Sequence, residues 1–169
     1  MAHIDKSYYN RNFNAKNPLR RFAHRTRFKH SIAAIELIDQ LSILDFGAGD
    51  GLFLNQMYDL KPDARLIGYE PYLEAIEESK IALIKDWSNI LHHIETKGKF
   101  DYVGCFEVLE HFNPADQAEA LKKMRVAVKD SGTVVISVPI EKGLPSLVKN
   151  LIRRVNLPHS NHIFTTSNI

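Results

Sequence analysis

The sequence predicts an α/β fold: a doubly wound, mostly parallel sheet with helices on both faces. Three observations predict it. Short apolar runs alternate with longer stretches of helical period, the rhythm of strand–helix–strand units. The first run, Ile43-Leu44, leads into a glycine-rich turn, Asp45-Phe46-Gly47-Ala48-Gly49-Asp50-Gly51. The second run, Leu66-Ile67-Gly68-Tyr69, ends on a carboxylate, Glu70, nineteen residues after Gly51. That spacing is one strand–helix–strand step.

Taken in order, residues 1–16 are polar and aromatic (Tyr8, Tyr9, Phe13) and read as an irregular arm. Asn17-Pro18 carries the signature of a helix start, an N-cap followed by proline in the first turn. That helix is expected to reach about Gln40, with Phe28, Ile32, Ile35 and Ile38 facing the sheet. Strand one is expected over 43–46. A helix over 52–60 ends before Lys61-Pro62. Strand two spans about 65–70, and Pro71 breaks the chain. A helix over 72–80, strand three over 81–85 and a helix over 89–95 follow. Strand four covers about 102–106. Pro114 opens a helix over 113–128, and Lys129-Asp130-Ser131-Gly132 is expected to end it. Strand five spans 133–138, stopped by Pro139. A basic helix over 145–155 precedes a short tail. The right-handed crossover rule leaves few topologies for such a chain. The expected organisation is an arm and helix over 1–41, a core over 42–140 and a closing segment over 141–169, all in one domain.

Length and composition narrow the classes. A chain of 169 residues, 44% hydrophobic and 25% charged, is long enough for one ordinary globular domain. No apolar run approaches the ~18 residues of a membrane helix, and the first residues lack the apolar core of a signal peptide. A single cysteine, Cys105, excludes an internal disulfide framework and fits a reducing, cytoplasmic compartment. It lies in an apolar strand pattern, which suits a buried thiol better than a nucleophile. Charge is uneven. Residues 1–30 hold eight bases (Lys6, Arg11, Lys16, Arg20, Arg21, Arg25, Arg27, Lys29) against one acid, Asp5, so the remainder is net acidic. A basic arm beside an acidic body suits either an anionic partner or a solvated helix face.

The glycine turn has a chemical reading. Glycine allows positive φ and lets a ligand come against the backbone. The N–H groups that open the next helix suit the polar edge of a nucleotide-like ligand. Open α/β sheets bind ligands beyond the carboxyl ends of their strands, where this turn would lie. An acid at position 70 can accept both ribose hydroxyls of a bound adenosine. The dinucleotide spacing G-x-G-x-x-G would require glycine where the chain has Leu52, which disfavours a nicotinamide-dependent oxidoreductase.

The compact G-x-G-x-G turn, with Asp45 before it and Glu70 after strand two, resembles the class I, Rossmann-like S-adenosylmethionine (SAM)-dependent methyltransferases. The likeness covers about residues 40–140 and enters through Leu44–Gly51, Glu70, Asp86, Phe100–His111 and Gly132–Pro139. It implies a seven-stranded sheet, whose strands six and seven would begin where this chain stops. They are expected to be absent or truncated, leaving the edge of strand five open to dimerisation.

The resemblance further implies that Asp45, Gly47, Ala48, Gly49 and Gly51 lie under the cofactor's methionine and ribose, with Glu70 on the ribose and Pro71 beside it. It also implies that Asp86 accepts the adenine amine, that Trp87 stacks on the adenine, and that Phe106 and Glu107 line the methyl-donor pocket. S-adenosylhomocysteine (SAH) would be the product.

Cys105–His111 contains Glu107, Glu110 and His111 as E-x-x-E-H. On a helix, Glu107 and Glu110 would share a face with His111. Two carboxylates and an imidazole can hold a divalent metal. This is similar to two metal-using subgroups, the small-RNA 3′-end ribose methyltransferases and the ubiquinone-pathway O-methyltransferases. In the RNA subgroup a later histidine matches His162. Otherwise the stretch shapes the pocket, or His111 is the general base.

The readings left open are methyl transfer to a small-molecule acceptor, anionic or neutral, with oxygen favoured; a metal-assisted RNA ribose methyltransferase; and a non-catalytic SAM-binding subunit.

Overall fold

The computed structural model describes residues 31–72 and 81–138. Within them, five strands form one parallel sheet in the order β3-β2-β1-β4-β5. The strands are β1 Ser42–Phe46, β2 Arg65–Tyr69, β3 Ala82–Ile84, β4 Phe100–Phe106 and β5 Val128–Ser137. Three helices connect them: α1 Leu52–Leu60, α2 Trp87–Lys97 and α3 Pro114–Ala127. The expected α/β fold with helices on both faces is the observed one. Chain order reverses between β1 and β4, and the carboxyl ends of these two strands frame a crevice.

Alternation along the strands builds two cores. Ile43 and Leu66 point to one face, where Phe53, Leu54 and Met57 of α1 cover them. Leu44, Phe46 and Ile67 point to the other, where Ile90 of α2 and Leu121 and Met124 of α3 pack. Each such side chain taken out of water contributes ~1.5–3 kcal/mol. At the amino end of the sheet, Asp101 accepts hydrogen bonds from Ser42 N (3.0 Å), Ser42 Oγ (2.6 Å) and Lys129 Nζ (2.7 Å). Burial by itself would raise the Asp101 pKa. The Lys129 and Ser42 hydrogen bonds and the Lys129 charge outweigh it and hold the carboxyl below its ordinary value.

The structure corrects three sequence expectations about local structure. Helical backbone at residues 31–33 ends at Ala34 instead of Gln40. The chain then turns through Gln40 at φ 54° so that Leu41 is fully enclosed (0% exposed), and Ile38 is left 40% exposed. Burying Leu41 at the mouth of β1 overrides the continuing helical period. Second, Lys129–Gly132 belong to β5, which starts directly where α3 ends. The β5 register against β4 shifts between Phe100 and Tyr102. A Cβ at Gly132 would lie 2.7 Å from the Asp101 carbonyl oxygen, so this glycine serves a close approach of two strands and not a helix stop. Third, residues 107–111 are not α-helical, as described below. The expected arm, the helix start at Asn17-Pro18, the helix over 72–80 beyond Tyr72 and the segment over 139–169 lie outside the described residues. Among the described residues, no helix is long and apolar enough to cross a membrane.

Candidate functional site

The crevice at the β1/β4 reversal is a cavity of about 710 Å³. Its floor is the end of β1, Asp45 and Phe46, continued by Gly47, Ala48, Gly49 and Asp50. One wall is Tyr69, Glu70, Pro71 and Tyr72 after β2; the opposite wall is Phe106, Glu107, Val108, His111 and Phe112 after β4. The loop is held by the neighbouring strand: Gly47 N and Ala48 N both donate to the Tyr69 carbonyl, at 2.8 and 3.1 Å. A Cβ on Gly47, at φ 82°, would fall 2.4 Å from Val108 Cγ2, so the two walls close on this point. Gly49, at φ 55°, has no atom within 4 Å of where a Cβ would stand. That is bare backbone facing open space, the arrangement a ligand can approach.

Glu70 is the joint of the site. Its Oε2 accepts from Gly49 N and its Oε1 from Tyr72 N, both at 3.0 Å. One carboxylate therefore fixes the glycine loop to the segment after β2, and each oxygen retains acceptor capacity. The N–H groups expected to be free for a ligand are largely used. Besides these, Gly51 N donates to Ala48 O (2.9 Å) and Leu52 N reaches Asp50 Oδ1 (3.3 Å). The loop is preorganised by its own hydrogen bonds.

Asp45 is 3% exposed, and its Oδ1 is buried without a hydrogen-bond partner. Burial first, and the Glu70 charge second, push its pKa up to about 8. Cys105, fully enclosed in β4, is raised by burial and then by the Asp45 and Glu110 carboxylates. A thiol so placed stays protonated and is no nucleophile.

Of the residues singled out by sequence, Asp45, Gly47, Ala48, Gly49, Glu70, Pro71, Phe106, Glu107 and His111 line the cavity together. Gly51, Asp86, Trp87 and Glu110 are not among its lining residues. Gly51 is the N-cap of α1. Asp86 is exposed at the N-cap of α2 and makes no side-chain capping bond. Trp87 is turned edge-on to Phe46 and Tyr69, with ring centroids 5.9 and 5.1 Å away.

The E-x-x-E-H stretch departs from its helical premise. Glu107 adopts φ 57°, Val108 leaves β4, and only Leu109–His111 form a 3-10 turn. The left-handed turn at Glu107 breaks the helical spacing that would have aligned the two carboxylates with His111. Among the described residues no three His, Cys, Asp or Glu side chains gather as a metal-holding group, and His162 lies outside those residues. Glu107 N still donates to Ser137 O at 3.0 Å, so strand pairing with β5 helps to hold the left-handed turn.

Sequence reasoning missed the contribution of α3. Asp116, Glu119, Ala120 and Lys123 line the cavity, and their spacing is one helical stripe. Lys123 Nζ stands 5.9 Å from the Tyr69 ring centroid and 5.7 Å from that of Trp87. The period of α3 alone would have revealed the stripe but not which way it faces.

Known proteins resemble this chain in sequence and in fold. A family model described as a methyltransferase domain matches residues 9–167. The ubiquinone biosynthesis O-methyltransferase of Bradyrhizobium diazoefficiens is 29% identical over 131 residues, 72% of this chain and 50% of that protein. The chain thus spans about half the length of the curated relatives it matches. Among solved structures, a SAM-dependent methyltransferase from Archaeoglobus fulgidus has a TM-score of 0.62 at 20% identity, covering 88% of this chain and 72% of that one. The plantazolicin methyltransferase in complex with a triazolic desmethylPZN analog and SAH has a TM-score of 0.51 at 22% identity, covering 75% and 50%. At these identities the two structures speak for the fold. The family match spans nearly all of the sequence, and with the sheet order and the glycine turn described above it leads to one conclusion: the chain belongs to the methyltransferase domain family, in its Rossmann-like form.

Proposed function

We propose that the chain binds SAM across the glycine turn and transfers its methyl group to a small-molecule hydroxyl. The observation that carries this is Glu70, folded against Gly49 at the carboxyl end of β2, beside open space over bare backbone. The residues present fit such a ligand. The cavity is large enough for a nucleoside carrying an amino acid. Its acids Asp45, Glu70 and Glu107 favour a cation, and Asp45 Oδ1 is buried and unpartnered. When bound, SAM supplies a methyl already activated by a sulfonium.

What remains for the chain is to bind, orient and exclude water, and most of the rate gain is positioning. Gly47, Ala48 and Gly49 form the floor, and Glu70 takes the ribose hydroxyls on its remaining lone pairs. Phe106 and Glu107 close the methyl end. His111 lines the same cavity from the 3-10 turn. It is our candidate base, taking the proton of the acceptor hydroxyl at an imidazole nitrogen. The basic residues of 1–30 support an acceptor with an anionic group.

Thermal shift tests the donor. SAH stabilises the protein by mass action and NAD does not; stabilisation by NAD alone overturns the reading. Mass spectrometry of an extract incubated with the protein and SAM then identifies the acceptor as the species that gains one methyl.

A further inference from the structure

Of the acids among the described residues that line the cavity, Asp45 alone is buried. Asp45 carries a carboxyl at 3% exposure in the floor, with Oδ1 enclosed and unpartnered. Its titratable neighbours do not neutralise it. Glu70, after β2, faces it with like charge. Cys105 of β4 is a neutral thiol that Asp45 itself suppresses. Asp50 and Glu107 add two more acids on the surrounding loops, and His111 and Lys123 are the bases that line the same cavity. Among the described residues no lysine or arginine pairs with it. A buried carboxylate without partner or cation is costly, and the group escapes that cost by holding a proton.

We propose that Asp45 holds a proton in the free site and releases it to solvent when the cationic end of the donor settles against it. The inference rests on the donor reading above and adds to it a proton exchange that makes Asp45 a sensor of ligand charge. The step balances: the Asp45 O–H bond breaks, the proton passes to buffer, and the carboxylate left behind faces a fixed positive charge in its place. A neutral nucleoside gives Asp45 no reason to ionise. The site therefore discriminates between charged and uncharged adenosine compounds through its own protonation. Apparent affinity for the charged ligand should rise with pH, approaching tenfold per unit below about 8, where the free carboxyl titrates.

The test is calorimetry on the full chain at pH 6.5, where a free amino group is already charged. SAM, SAH and 5′-methylthioadenosine are each titrated in two buffers of different ionisation heat. Close to one proton released with SAM and SAH, and none with 5′-methylthioadenosine, assigns the trigger to the ammonium; release with SAM alone assigns it to the sulfonium. Asp45→Asn should abolish the release, and His111→Gln should leave it. Binding heat with no proton released overturns the inference and leaves the donor reading standing, as does release that survives in Asp45→Asn. Absence of binding to SAM and SAH overturns both. Should Asp45→Asn fail to fold, infrared difference spectra of the unaltered protein decide: the band of a protonated carboxyl must vanish on adding SAM.

Discussion

Two glycines of one turn, either side of Ala48, have different duties. Gly47 is closed in by Val108 and Gly49 faces open space, though both adopt positive φ. Gly47→Ala is expected to destabilise the fold by more than ~2 kcal/mol, combining left-handed strain with a collision. Gly49→Ala should cost only the strain, ~1 kcal/mol, while crowding the ligand. Melting temperatures and SAH binding, measured on both variants, separate these outcomes: the first loses stability, the second loses affinity. Asp45 gives a residue-level prediction in pH. Its folded pKa of about 8 lies above its ordinary 3.8. Below pH 4 both states hold the proton. Between these values the unfolded chain gives it up while the folded chain keeps it, so unfolding releases a proton. Stability of the free protein therefore falls as pH rises through this window, with a slope approaching ~1.4 kcal/mol per unit from this group, and levels off above it. Asp45→Asn should remove that part of the slope in denaturant titrations across pH.

Elements differ in how locally they are specified. The start of α3 is written in adjacent residues. Asn113 Oδ1 accepts from Ala115 N and Asp116 N at 2.9 and 3.0 Å, with Pro114 in the first turn. Asn113→Ala should cost ~1 kcal/mol, read as a lowered denaturation midpoint with unchanged slope. α1 is as local: its range, 52–60, is the expected one. β5 is not. The run Lys129–Gly132 is polar and glycine-ended, with every mark of a turn, yet it lies within β5, in the register shift between the pairs that Val128 and Thr133 make with β4. The same limit applies to residues 107–111, where a left-handed residue after β4 breaks the helical pattern that the sequence suggests.

At the scale of the whole molecule, the sheet is tied at one end and open at the other. The Asp101 network joins β1, β4 and β5 at the amino end, opposite the crevice at their carboxyl ends. Asp101→Ala leaves the Ser42 N–H and O–H without their acceptor, while Lys129, 42% exposed, turns to water. A loss of ~1–3 kcal/mol is expected, with SAH affinity intact in the folded fraction. Equal loss of affinity would mean that the two ends are coupled.

The sequence by itself determined the strand–helix rhythm, the glycine turn and the acid after β2, because each is a short-range pattern imposed by backbone geometry and by strand and helix period. Tertiary structure alone decided which side chains meet. It turned Trp87 edge-on to its aromatic neighbours and left Asp86 outside the cavity wall. It aimed the α3 stripe into the cavity and enclosed Asp45 without a partner. Those outcomes depend on how separate elements pack, and on the dielectric that packing creates around a charge, neither of which is a property of neighbouring residues.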